Sequence, residues 1–255
     1  MGQVVFIGAG PGAADLITLR GARTLAQADV VLFDALTDPA LRELAPGARW
    51  VHVGKRGFED STGQATINAL LVRHAQAARL VVRLKGGDPS VFGRLEEELE
   101  ALAQAGIDCE IVPGVTAALA AAAETKRPLT RRGAGRSVAL ATAMTREGAL
   151  HGGRHADTEV FYMAGKQLGA LARRLREAGW PGDAPVSVVS RAGWADALAS
   201  SHAVDTLGQA AVLHSGRPTV VTVGAGASAL GPVSRAGTES PLLEAGQEPA
   251  ETLSA

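Results

Sequence analysis

Gly8-Ala9-Gly10-Pro11-Gly12-Ala13 closes the first apolar run of the chain, and Arg83-Leu84-Lys85-Gly86-Gly87-Asp88-Pro89-Ser90-Val91-Phe92-Gly93 closes a later one. Glycines let a backbone come close to a ligand and take up turns that side chains forbid. In the first segment Gly8, Gly10 and Ala13 fall on the small positions of the dinucleotide-binding fingerprint. Asp34, at the end of the next apolar run, falls where that fold keeps its ribose-binding acid. A nicotinamide-dependent oxidoreductase is therefore one reading, and a plain strand-to-helix turn is another. Pro11 weighs against the first, because it removes an N–H from a loop that would have to donate N–H groups to a pyrophosphate. In the second segment Asp88 can accept hydrogen bonds from ligand hydroxyl or ammonium groups; the competing role is to cap the helix after Pro89. Lys55, in Gly54-Lys55-Arg56-Gly57, is either a functional cation or a solvated loop charge, and Asp34 either a functional acid or a turn residue before Leu36.

The elements that must hold these residues alternate in type. Gln3–Ile7, Asp29–Phe33, Trp50–Val53 and Leu80–Leu84 are short apolar runs of strand character, and Asp15–Gln27 and Thr62–Gln76 between them have helical spacing. That alternation predicts a parallel sheet covered on both faces, with ligands bound beyond the C-terminal ends of its strands. Both glycine segments lie at such ends. After Pro113-Gly114 the pattern changes. An alanine-rich stretch, Val115–Ala123, is suited to close packing, and Ser137–Ala143, Val160–Met163, Val186–Val189 and Thr219–Val223 predict a second sheet, with a helix over Leu168–Ala178. The expected organisation is α/β throughout: an N-terminal unit over 1–114 with a mainly parallel sheet, a C-terminal unit over 115–230 with a mixed sheet, and a Gly-, Ser- and Glu-rich flexible tail over 231–255.

A formal net charge of -1 gives no general attraction to nucleic acid or anionic membrane. An anionic ligand would have to be met by local clusters of Arg and Lys. The single cysteine, Cys109, permits no intramolecular disulfide and reads as a buried structural thiol. No apolar run approaches membrane-span length, and no basic segment precedes an apolar one at the N-terminus, so a cytoplasmic protein without a signal peptide is expected. His151 and His155 lie in a glycine-rich stretch without an acid at ligand spacing, so no metal site is expected.

Taken in order, Gly8–Asp34 (GAGPGAADLITLRGARTLAQADVVLFD), GKRG with Gln64, Ile67, Asn68, Leu70 and Leu71 after it, VVRLKGGDPSVFGR, VPGVTAALAA and PLTRRG resemble the tetrapyrrole methylase family of cobalamin and siroheme synthesis. The resemblance runs from about Val4 to Gly224. The RLKGGDP stretch with VFGR is similar to the branch acting on uroporphyrinogen III. The resemblance implies two α/β domains around a cofactor cleft, a homodimer, and S-adenosylmethionine as donor, leaving S-adenosylhomocysteine. It implies methylation of uroporphyrinogen III at C-2 and C-7, giving precorrin-2 by way of precorrin-1. By position it assigns cofactor contacts to Pro11, Gly86, Gly87, Asp88, Val91, Thr116, Ala117, Met163, Ala192 and Thr219. It also assigns proton acceptance to Asp34 and proton donation to Lys55. The polycarboxylate substrate would draw on Arg56, Arg83, Lys85, Arg94 and Arg131, with Arg132 and Arg136 as further candidates.

The chain departs from the family pattern mainly on the acceptor side. Arg131 stands where the family commonly has His, Leu95-Glu96 where it has two glycines, Glu124 where it has an aromatic, and Ala164 where it has Gly. No segment corresponds to the dehydrogenase–chelatase module sometimes fused to such enzymes, so methylation alone is expected. The alternatives are another precorrin methyltransferase, a diphthine synthase-like enzyme, the oxidoreductase above, and a non-catalytic tetrapyrrole binder.

Overall fold

The structure is a computed structural model and describes residues 2–54, 63–143 and 153–230. Five strands form the first sheet: β1 (Gln3–Gly8), β2 (Val30–Phe33), β3 (Arg49–His52), β4 (Leu80–Lys85) and β5 (Cys109–Val112). Their spatial order is β3-β2-β4-β1-β5, and every pairing is parallel. Parallel strands need crossovers, which α1 (Leu19–Leu25), α2 (Gln64–Ala77) and α3 (Leu95–Gln104) help to supply. Both faces are buried, which is why the strands read as continuous apolar runs. Val4, Phe6 and Val81 meet Leu71 of α2 and Leu102 of α3 on one face. Val5, Ile7, Val31 and Leu84 meet Leu25 of α1 and Leu41 on the other.

The helix predicted over Asp15–Gln27 is split. A 3₁₀ turn occupies Ala14–Leu16, then Thr18 is extended and its hydroxyl accepts from Gly21 N at 3.1 Å to start α1. A side-chain cap of this kind marks a helix start, and the apolar spacing ran straight through it.

The alanine-rich stretch forms α4 (Ala117–Thr125). The second sheet comprises β6 (Val138–Thr142), β7 (Thr158–Tyr162), β8 (Pro185–Ser190), β9 (Leu198–Ala203) and β10 (Thr219–Gly224), in the order β6-β7-β10-β8-β9. It is mixed: β6 and β7 are parallel, and the other three pairings are antiparallel. On one face, Leu168, Leu171 and Leu175 of α5 (Leu168–Glu177) bury against Phe161, Val188 and Val221. On the other, Ala118, Ala120 and Ala121 of α4 pack on Val160, Val189 and Val220, the small side chains allowing close approach. Cys109 is half-buried at the edge of the first sheet, and burial, with Asp108, pushes its thiol pKa up, which fits an inert residue. Among the described residues no helix is long and apolar enough to cross a membrane, and no group of three or more His, Cys, Asp or Glu is placed to hold a metal ion. His151 and the predicted tail over 231–255 lie outside the described residues.

Candidate active site

β1 and β4 are neighbours, and their chain continuations leave to opposite faces of the sheet: β1 leads into α1 on one face, β4 into α3 on the other. This divergence is where open parallel sheets bind ligands. The two glycine loops meet there. Gly10 N donates to Gly87 O at 3.3 Å and Gly87 N to Gly10 O at 2.7 Å, and both residues have positive φ, 81° and 72°. Behind them Gly8 and Gly114 are so close that a Cβ on Gly8 would lie 2.5 Å from the Gly114 Cα. Asp88 fastens the same junction, its Oδ2 accepting from Gly114 N at 2.8 Å and its Oδ1 from Ser90 N at 2.8 Å. The helix-capping role weighed from the sequence is not found, because the chain forms a turn after Pro89 and α3 begins only at Leu95; the bond to Ser90 N is a local turn bond, and Asp88 borders the cavity beside it.

That cavity has a volume of about 220 Å³ and draws its walls from both sheets. Pro11, Gly86, Gly87, Asp88 and Val91 contribute from the first. Thr116 and Ala117 contribute from the start of α4, and Met163, Ala192 and Thr219 from the ends of β7, β8 and β10. The structure therefore brings together all ten positions that the resemblance assigned to one ligand. Met163 is 48% exposed. Thr219 is buried, and its hydroxyl donates to Arg217 O at 2.8 Å. The loop after β8 closes against the first glycine loop, Ala13 N donating to Gly193 O at 2.7 Å. Glu124, one of the family departures, accepts from Gly193 N at 3.3 Å and steadies that loop.

Sequence reasoning did not select the aromatic residues of the cavity. Phe92, Trp194 and the chain's single tyrosine, Tyr162, all line it. The Phe92 and Tyr162 rings lie 5.0 Å apart, and the Tyr162 hydroxyl is 2.7 Å from Thr116 Oγ1. Burial raises the Tyr162 pKa against the opposing Thr116 hydrogen bond, so the phenol stays neutral. The Arg191 guanidinium stacks over Trp194, 4.4 Å from its ring centroid, and its Nε donates to Asp196 Oδ1 at 2.7 Å. A further signal invisible in the sequence is backbone strain. Of the described non-glycine residues with positive φ, Phe92 (53°), Met163 (59°) and Arg191 (52°) border this cavity. Side chains avoid that region, so such strain concentrates where a fold over-determines a site.

Two of the cations expected to meet substrate are corrected by the structure. Arg83 and Lys85 are only 2% and 3% exposed. Successive odd positions of β4 point to the same face, here toward α3, where Glu98 is fully buried. Arg83 Nε donates to Glu98 Oε1 at 3.0 Å and Lys85 Nζ to Glu98 Oε2 at 2.6 Å. Arg83 Nη2 extends to Asp34 Oδ1 at 2.8 Å. Burial works against the Arg83 charge, yet Asp34 and Glu98 more than offset it and its pKa stays raised. For Lys85 burial wins, helped by Arg83, and its pKa is lowered despite Glu98. Two cations and two carboxylates thus balance inside the protein, leaving neither cation free for a ligand. Asp34 itself is partly exposed at the C-terminal end of β2, two residues before Leu36, which lines the cavity.

Arg131 is likewise turned inward, donating to the backbone carbonyls of Ser228 and Ala229, and does not line the cavity. Arg94 is exposed and paired with Glu97 at 2.7 Å, while Arg132 and Arg136 are exposed. Lys55 and Arg56 lie outside the described residues.

Comparison with known proteins agrees with this architecture. The family model for Tetrapyrrole (Corrin/Porphyrin) Methylases matches residues 3–211. The uroporphyrinogen-III C-methyltransferase of Pseudomonas aeruginosa is 46% identical over 195 residues, which is 75% of this chain and 80% of that one. Siroheme synthase of Escherichia coli is 44% identical over 193 residues, and the match spans only 42% of its length. Among solved structures, uroporphyrin-III C-methyl transferase from Thermus thermophilus complexed with S-adenyl homocysteine superposes with a TM-score of 0.78 at 35% identity, covering 88% of this chain and 98% of that one. By sequence over most of its length, and by fold, this chain belongs to the tetrapyrrole (corrin/porphyrin) methylases.

Proposed function

We propose that the chain is an S-adenosylmethionine-dependent methyltransferase acting on uroporphyrinogen III at C-2 and C-7, forming precorrin-2 by way of precorrin-1 and releasing S-adenosylhomocysteine. We read it as a cytoplasmic homodimer. The observation that carries this reading is the convergence of the ten assigned residues on one cavity closed from both sheets. The cavity suits an adenosyl sulfonium by its donor set. Backbone groups of the loops after β4 and β8 can read an adenine edge, and Val91 and Met163 offer apolar cover. Asp88 retains lone pairs for a hydroxyl or an ammonium group beyond the two backbone N–H groups it accepts.

When bound, S-adenosylmethionine supplies a methyl carbon that is already electrophilic. The protein's contribution is then alignment and exclusion of water rather than activation. The paired glycine loops fix the floor of the site, and the walls from β7, β8 and β10 bring apolar surface over it. Asp34 is the proposed acceptor of the proton lost from the methylated pyrrole carbon, with Arg83 holding its carboxylate in place. Lys55 is the proposed proton donor. Substrate carboxylates are assigned to Lys55 and Arg56, from the resemblance, and to Arg94, which is exposed at the start of α3.

The deciding experiment is an anaerobic incubation with S-adenosylmethionine and uroporphyrinogen III, with products read by mass. A gain of two methyl groups, placed at C-2 and C-7 by NMR, is expected. Donor binding without methyl gain would reject uroporphyrinogen III as acceptor, and absence of donor binding would reject the methyltransferase reading. Sedimentation showing only monomer would reject the dimer.

A further inference from the structure

The cavity contains an imbalance of charge that singles out its aromatic residues. Among the described residues lining it, Asp88 is the one acid and Arg191 the one base. Arg191 is neutralised by Asp196 at 2.7 Å. S-adenosylmethionine brings two cationic groups, an ammonium and a sulfonium, and one carboxylate. Asp88 can serve the ammonium. The sulfonium is then left without a carboxylate, and beside the neutral oxygens of the backbone the face of an aromatic ring is a further source of negative potential. Trp194 already carries the Arg191 guanidinium. The available pair is Phe92, from the loop after β4, and Tyr162, at the end of β7.

We infer that Phe92 and Tyr162 form the sulfonium-recognising surface of the site, and that they make it prefer the charged donor over its neutral product. The inference rests on the donor proposed above. Three features support it. The two rings come from opposite sides of the cavity and meet at a centroid distance of 5.0 Å with an interplanar angle of 57°, so neither is stacked flat against the other. Tyr162 is fixed by Thr116 and remains a neutral phenol, so its ring is held in position without adding a competing charge. Phe92 is 43% exposed and held at φ 53°, an arrangement that core packing does not require. Loss of the sulfonium charge on methyl transfer would weaken the contact and favour release of product.

The test is calorimetric titration of S-adenosylmethionine and S-adenosylhomocysteine into the unaltered protein and into Phe92→Leu, Phe92→Gly, Tyr162→Leu and Tyr162→Phe. A cation–aromatic contact at a partly open site predicts that each Phe92 variant and Tyr162→Leu lowers the preference for S-adenosylmethionine by about two- to fivefold. Tyr162→Phe keeps the ring and should keep the preference. Phe92→Gly should leave the melting temperature of the ligand-free protein unchanged or raised, since glycine accepts positive φ. Equal weakening of both ligands, or an unchanged ratio in the Phe92 variants, would overturn the inference while leaving the donor assignment intact. If the unaltered protein bound neither ligand, the donor assignment and this inference would fall together.

Discussion

Replacing Glu98 by glutamine removes one charge from the buried network and tests whether that network behaves as the geometry requires. Glu98 is fully buried and serves two cations, Arg83 at 3.0 Å and Lys85 at 2.6 Å. Arg83 keeps Asp34 as a partner in the variant, but Lys85 loses its carboxylate partner, the 2.6 Å bond to Glu98. Removing one member of a buried pair costs about 3–5 kcal/mol, because the other charge stays desolvated. For a domain of this size that is a fall in melting temperature of about 6–20 °C.

The pH dependence gives the sharper test. The Lys85 pKa is already lowered by burial, and loss of Glu98 removes a group that raises it. Between the lowered folded value and the ordinary unfolded value near 10.5, the unfolded state binds more protons than the folded one. Stability therefore rises with pH through that window. The variant should lie furthest below the unaltered protein near pH 7 and close part of the gap by pH 10. Urea denaturation followed by circular dichroism at both pH values measures this directly. Lys85→Met combined with Glu98→Gln should lose less than Glu98→Gln alone, because no unpaired ammonium remains. A loss below 1 kcal/mol at pH 7, or an equal loss at both pH values, would refute the reasoning.

Asp88→Asn keeps the shape of the side chain but weakens its hold on Gly114 N and Ser90 N. Charge-assisted bonds of this kind are worth about 1.5–3 kcal/mol, so S-adenosylmethionine affinity should fall at least tenfold by calorimetry. Asp34→Asn should lower turnover in the anaerobic assay about 10²–10⁴-fold with donor affinity preserved, and unchanged turnover would remove Asp34 from proton transfer. Leu171→Ala, in the α5 face fully buried against the second sheet, should cost about 2–5 kcal/mol in urea denaturation without altering the cavity walls.

The sequence exposes the parts of the fold that are apolar and central. β1, β2 and β4 lie inside the first sheet, and β7, β8 and β10 inside the second, and all six were predicted. The two unpredicted strands, β5 and β9, are edges. β5 (CEIV) exposes Glu110 and Ile111, and β9 (LASSHA) is largely polar, because an edge strand has one neighbour and often one wet face. Periodicity reports burial, and there was too little burial there to report. The glycine loops were legible for the opposite reason. Positive φ at Gly10 and Gly87 and the contact between Gly8 and Gly114 leave few residue types possible.

The misreading of Arg83 and Lys85 has a definite cause. Their acidic partner stands in the run Glu96-Glu97-Glu98, which looks like a solvated helix start. Helical geometry separates the three. Leu95, Glu98, Leu99 and Leu102 recur at intervals of three and four, so Glu98 belongs to the stripe that carries the apolar residues, while Glu96 and Glu97 turn outward. A carboxylate within an apolar stripe requires a buried cation. The strand immediately before that helix supplies two at alternate positions, Arg83 and Lys85. The pairing was therefore implicit in two periodicities, one of 3.6 and one of 2, and became visible only when α3 was laid on β4. The consequence for function is specific. The cations nearest the glycine loop hold Asp34 and Glu98 and are not free to meet a ligand.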